Sequence, residues 1–128
     1  MEYCFSKKVA YSYEEAISKV TDELKGEGFG VLTEIDVKAT LRKKLDVDFR
    51  KYAILGACNP QFAYRALSAE DKIGIFLPCN VVVQEHDSGE VEVSAVDPVG
   101  MMQMVDKPEL NEMAAQVAER LKRVIDRL

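Results

Sequence analysis

The chain has 128 residues, 48% of them apolar and 30% charged, which suffices for one substantial core and is too little for two ordinary domains; residues 1–128 are therefore read as a single domain. Its 17 Lys and Arg against 22 Asp and Glu give a formal charge of -5, so the chain lacks the uniform positive field that drives binding to phosphate backbones, and no nucleic-acid partner is expected. No stretch reaches the roughly 18 apolar residues of a membrane span, so no membrane partner is expected either, and three cysteines without scaffold spacing fit a reducing, cytoplasmic setting.

Tyr3, Phe5, Val9 and Tyr11 alternate with polar residues, the period of a half-buried strand. Ser12 and Glu15 have the spacing of a capping box, in which each side chain satisfies a backbone N–H left unpaired by the first helical turn. The helix that follows carries Ala16, Ile17, Val20 and Leu24 on one stripe and stops at Gly26 and Gly28. Phe29, Val31, Thr33 and Ile35 alternate as a second strand. Asp36 then caps a short helix bearing Val37, Leu41 and Leu45. Its basic run Arg42-Lys43-Lys44 reads as a solvated face.

Tyr52 to Cys58 is a nearly continuous apolar run with Gly56 near its end, which predicts a strand covered on both faces or closely approached by another backbone. Asn59-Pro60 marks a helix start, since Asn accepts early N–H bonds and Pro at the first position loses no needed donor. Phe62, Ala63, Ala66 and Leu67 extend that helix. Ile73 to His86 is read as one long strand with Ile75, Leu77, Cys79, Val81 and Val83 on one face. Pro78 cannot donate to a ladder and so predicts an edge strand or a bulge. Asp87-Ser88-Gly89 turns the chain into a returning hairpin strand that Asp97-Pro98 ends. From Pro108 onward, Leu110, Met113, Ala114, Val117 and Leu121 make the stripe of a long amphipathic helix. Mixed helices and strands ending in a hairpin argue for an α+β fold, an antiparallel sheet with helices packed on one side.

Four blocks of this sequence, Phe29–Asp36, Ile54–Pro60, Leu77–Val81 and Asp97-Pro98, resemble the successive motifs of the domain of unknown function 302 family. The resemblance spans nearly the whole chain. It implies a TATA-binding-protein-like α+β fold and a homodimer, and it supplies no catalytic residues. Cys58, Asn59, Pro60, Pro78, Cys79 and Asn80 fall on the signature motifs.

The best chemical lead is the pair of doublets Cys58-Asn59 and Cys79-Asn80. Asn59 is explained as a helix cap, whereas Asn80 has no capping role. If their strands are neighbours, Cys58 and Cys79 could approach one another and hold a soft metal ion such as Cu(I) or Zn(II), or frame a small-molecule ligand with Asn59 and Asn80. Three function classes follow: a homodimeric binding module with this paired-cysteine site, a thiol redox protein or enzyme with Cys58 attacking and Cys79 resolving, or a structural or interaction domain. In the last, subunits would pair through the C-terminal helix or the edge of the Ile73 to His86 strand. Met101, Met102 and Met104 read as packing or as thioether donors. The lone His86 reads as exposed, and Glu34 with Asp36 as a carboxylate pair half explained by capping.

Overall fold

The computed structural model describes residues 2–128. In chain order the elements are β1 (Cys4–Val9), α1 (Tyr13–Gly26), β2 (Gly30–Asp36), α2 (Val37–Leu45), β3 (Tyr52–Cys58), α3 (Pro60–Ala69), a single 3-10 turn at Ile73–Phe76, β4 (Cys79–Glu85), β5 (Val91–Val96), α4 (Pro98–Gln103) and α5 (Pro108–Asp126). All five strands join one antiparallel sheet in the order β1-β5-β4-β3-β2. The helices pack on one side of it, as an α+β fold requires to bury the apolar face of the sheet.

Local chemistry sets the helix ends. The Ser12 hydroxyl accepts from the Glu15 N–H at 3.2 Å, and the Glu15 carboxylate accepts from the Ser12 N–H at 3.3 Å, completing the box at the start of α1. Asp36, Asn59 and Asp97 cap α2, α3 and α4 with a single side-chain bond each, accepting the N–H of Ala39, Phe62 and Val99, the latter two followed by proline at the first helical position. Gly28, at φ 86°, holds the left-handed turn that releases the chain from α1 into β2.

Val20 and Leu24 of α1 and Leu121 and Val124 of α5, all fully buried, lie on Leu55, Val81, Val83 and Val93 of the sheet. Each such side chain contributes roughly 1.5–3 kcal/mol on transfer from water. Ala53, Ala57 and Ala95 on the same sheet face are small enough to let the helices approach. A second cluster, built from Ala66, Ile73, Met102, Leu110, Met113 and Ala114, joins α3, α4 and the start of α5. The far end of α5 is latched to the turn after α1. Glu27, 8% exposed, receives Arg123 through both carboxylate oxygens at 2.9 and 3.1 Å and Arg127 at 2.7 Å, while Arg120 donates to its carbonyl.

Several expectations are corrected. The Ile73 to His86 segment is a 3-10 turn followed by a strand that begins only at Cys79, and β4 occupies the centre of the sheet rather than an edge. Pro78 therefore terminates the segment before the ladder begins instead of interrupting it. Ile75, expected on the core face, is 80% exposed. β4 offers no free edge, since β3 and β5 flank it, and the apolar stripe of α5 is covered by the core. None of Val37, Leu41 and Leu45 of α2 is fully buried. The Met-rich stretch ends a short helix, α4, which starts at Asp97-Pro98 just as α3 starts at Asn59-Pro60. His86 is half-buried and hydrogen-bonds Glu92 across the hairpin at 2.9 Å.

Candidate functional site

β3 and β4 are neighbours, in a register that sets Ala57 opposite Cys79 and Gly56 opposite Asn80. Side chains directly opposite in an antiparallel pair share a face. Cys79 thus lies with Ala57, Val81 and Val83 on the helix-covered side, and Cys58 is the last residue of β3, next to Ala57. Both thiols are free.

Gly56 explains how the two motifs fit together. A Cβ at this position would stand 2.2 Å from Thr33 Oγ1 and 2.7 Å from Pro78 Cγ, so only a glycine lets the proline ring and β2 close over this end of β3. The close approach expected for this strand is therefore real, and it comes from side chains rather than from another backbone. One residue past the strand, Asn59 is 9% exposed and its Oδ1 accepts from the Phe62 N–H at 3.4 Å. Among the described residues the Asn59 side chain makes that one hydrogen bond, which leaves its Nδ2 for a further acceptor.

At this end of the sheet lies a cavity of about 290 Å³, bounded by α3, α4 and α5. All four sequence blocks that carry the family resemblance reach it: Phe29 and Leu32 from the first, Ala57, Cys58 and Asn59 from the second, Leu77, Pro78 and Cys79 from the third, and Pro98 from the fourth. Phe62 and Ala66 of α3, Met102 of α4 and Met113 and Val117 of α5 complete the walls, which carry no charged side chain. Four sulfur-bearing residues, Cys58, Cys79, Met102 and Met113, thus line one apolar space.

Three of the four predicted site residues meet here. Cys58, Asn59 and Cys79 line the cavity, while Asn80 is exposed on the uncovered face of the sheet and does not. Of the methionines singled out, Met102 is buried against the cavity and Met104 is 70% exposed. Phe62, Met113 and Val117 belong to the site although their sequence signal was only helical periodicity, which a ligand wall shares with ordinary core.

Burial, and then the proximity of Cys58, pushes the Cys79 thiol up to about 11, so it is protonated at neutral pH and behaves as a small apolar group. Recruiting it to a metal would first require its deprotonation. Among the described residues there is also no group of three or more His, Cys, Asp or Glu that could hold a metal ion. Two cations stand beside one wall residue, Phe62. Phe62 carries the guanidinium carbon of Arg120 5.2 Å and that of Arg65 5.9 Å from its ring centroid.

No helix among the described residues is long and apolar enough to cross a membrane. Comparison with curated proteins finds no match. Among solved structures the chain is similar to one described as "Crystal structure of uncharacterized conserved protein DUF302 from Bacillus stearothermophilus". That structure is 34% identical, with a TM-score of 0.91, over 99% of this chain and 98% of that one. The family model described as "Domain of unknown function DUF302" matches residues 5–128, the segment that supplies every wall of the cavity, and the chain belongs to that family.

Proposed function

We propose that this protein is a non-catalytic binding module whose ligand is a small, largely apolar molecule held in the cavity among Cys58, Asn59, Cys79, Phe62 and Met102. The observation that carries this reading is the convergence of four separate sequence blocks on one uncharged space. Its 290 Å³ stands at the lower end of the roughly 300–1,000 Å³ typical of small-molecule sites, and apolar walls with a few placed polar groups are their usual lining. Polarizable sulfur on several walls suits an adaptable contact with alkyl or aromatic groups.

A thiol redox role is less well supported. Cys79 holds its proton, so it is a poor thiolate for exchange at neutral pH. A soft ion such as Cu(I) would meet the same sulfurs, with that proton to displace. The three free thiols agree with a reducing, cytoplasmic setting.

We also propose that two copies associate through the outer strand β2 and the segment after it. Leu32 is 69% and Ile35 47% exposed on this edge, and Leu45 and Val47 add 67% and 43% nearby. This apolar surface is accessible, unlike β4 and the stripe of α5. A monomer by light scattering at micromolar concentration would refute the pairing.

The cavity reading is tested with N-phenyl-1-naphthylamine, a neutral fluorescent probe. Saturable fluorescence enhancement with wild-type protein is expected. Ala66→Leu, which adds three carbons to a buried wall residue, should weaken the probe at least tenfold while leaving the melting temperature equal or higher. An absence of saturable binding to wild type, or equal binding to both proteins, would remove the reading.

A further inference from the structure

The cavity walls are uncharged, yet one rim is cationic, and its cations lack carboxylate partners. Glu27 is already occupied by Arg123 and Arg127. Arg120 instead gives one N–H to the Glu27 carbonyl at 3.1 Å and sets its guanidinium over Phe62. Arg65, one turn after Phe62 on α3, sets its own over the same ring and, among the described residues, makes no ion pair or hydrogen bond through its side chain. Glu109 lines the same shallow surface depression as Arg65 without pairing to it.

A third donor faces this rim. Asn59 Nδ2 and Arg120 Nη1 lie 3.0 and 3.5 Å from the point at which a Cβ on residue 28 would stand. Residue 28 is glycine, so no side chain shields the two groups from an incoming acceptor. Asn59 is nine-tenths buried, lines the cavity, and spends only its Oδ1 on capping. An apolar space flanked by two guanidinium groups without carboxylate partners and by a spare amide is the complement of an amphiphile with an anionic head. Planar, delocalised guanidinium matches carboxylate in particular.

Resting on the binding reading above, we infer that the ligand is an amphipathic carboxylate of short to medium chain. Its hydrocarbon tail occupies the cavity, and its carboxylate is received by Arg120, Arg65 and Asn59 Nδ2. Both partners keep their protonation states, and no covalent step is involved.

The test is displacement of bound N-phenyl-1-naphthylamine from the full chain by octanoate and by octan-1-ol, which share a tail and differ in head. Octanoate should displace the probe at a concentration about tenfold lower than octan-1-ol, the gain typical of a charge-assisted contact. The ratio should shrink as salt is raised, because Arg65 is exposed and Arg120 only partly buried. R65Q and R120Q should each narrow it. Arg65 makes no bond within the fold, so R65Q reports on the head group even if R120Q loosens the Glu27 turn. Equal displacement by alcohol and carboxylate, or a ratio unmoved by both replacements, would overturn the inference while leaving the cavity reading intact. Failure of the probe itself to bind would remove both.

Discussion

Replacing Gly56 by alanine tests the geometry on which the site depends. The added methyl would enter 2.2 Å from Thr33 Oγ1 and 2.7 Å from Pro78 Cγ, both well inside contact distance. The two neighbours differ in what they can yield. The Thr33 hydroxyl swings away by rotation of χ1, into a rotamer that β-branching restricts. The Pro78 ring has no such rotation, so the backbone joining the 3-10 turn to β4 must shift. Overpacking of this kind costs about 1–3 kcal/mol. For a chain of this size that corresponds to a fall in Tm of about 4–12 °C. Urea denaturation followed by circular dichroism measures it, with the slope m unchanged if the transition stays two-state. G56A combined with T33A removes the shorter contact and should recover part of the loss, the residue reporting on Pro78. Because Pro78 is also a cavity wall, binding of N-phenyl-1-naphthylamine should weaken in parallel. A G56A protein within about 0.5 kcal/mol of wild type would refute the account, since surface changes away from any close approach fall in that range.

Cys79 ionises near 11 instead of the ordinary 9.0, so its thiolate fraction at neutral pH is about a hundredfold smaller; iodoacetamide labelling resolved by peptide mass spectrometry should find it correspondingly slow, and a rate equal to that of free cysteine would contradict its burial. Since the folded protein prefers the neutral thiol, this contribution to stability is complete below pH about 9 and declines as pH rises through about 11. The Arg123 hydrogen bonds, with help from Arg127, hold the Glu27 carboxyl below its ordinary value, so its contribution is present above the ordinary carboxylate range and is lost as pH falls through the lowered value. Glu27→Gln should therefore cost about 1–3 kcal/mol at pH 7, with the difference from wild type shrinking in acid; a constant difference would show that charge plays no part. Leu121→Ala, at a fully buried position facing the sheet, should cost about 2–5 kcal/mol by urea denaturation, and a loss under about 1 kcal/mol would contradict its place in the core.

Legibility in the sequence followed the range of the physics. The capping box at Ser12 and the Asn59-Pro60 helix start are local hydrogen-bonding problems solved within three residues, and both stand in the structure as read. The Tyr52–Cys58 strand and the α5 stripe, carried by periodicity over several residues, were equally plain. Pro78 was misread because proline's missing N–H excludes it from a ladder without saying whether the ladder lies on both sides of it or only after it. The convergence of Cys58, Asn59 and Cys79 depended on which strands are neighbours, and Asn80 was lost to the site by alternation once that register was set. Arg65 and Arg120 could not be found at all. Their meeting at Phe62 joins residues more than fifty positions apart on two helices, and nothing in either local pattern distinguishes them from solvated charge.

The placement of the cavity follows from how the core is divided. One apolar cluster lies between α1, α5 and the sheet, the other between α3, α4 and the start of α5, and Phe62 touches both. The small residues Ala57, Ala63, Ala66 and Ala114 leave the space between them unfilled. The space opens to solvent, so its apolar walls forgo the side-chain contacts that a filled core would make. An apolar occupant restores those contacts, and because it binds only the folded chain it raises stability by mass action. Larger side chains at Ala63 or Ala66 would restore the same contacts permanently and leave no room for a ligand. Small residues at these positions therefore agree with a core whose packing is completed by a molecule from outside the chain.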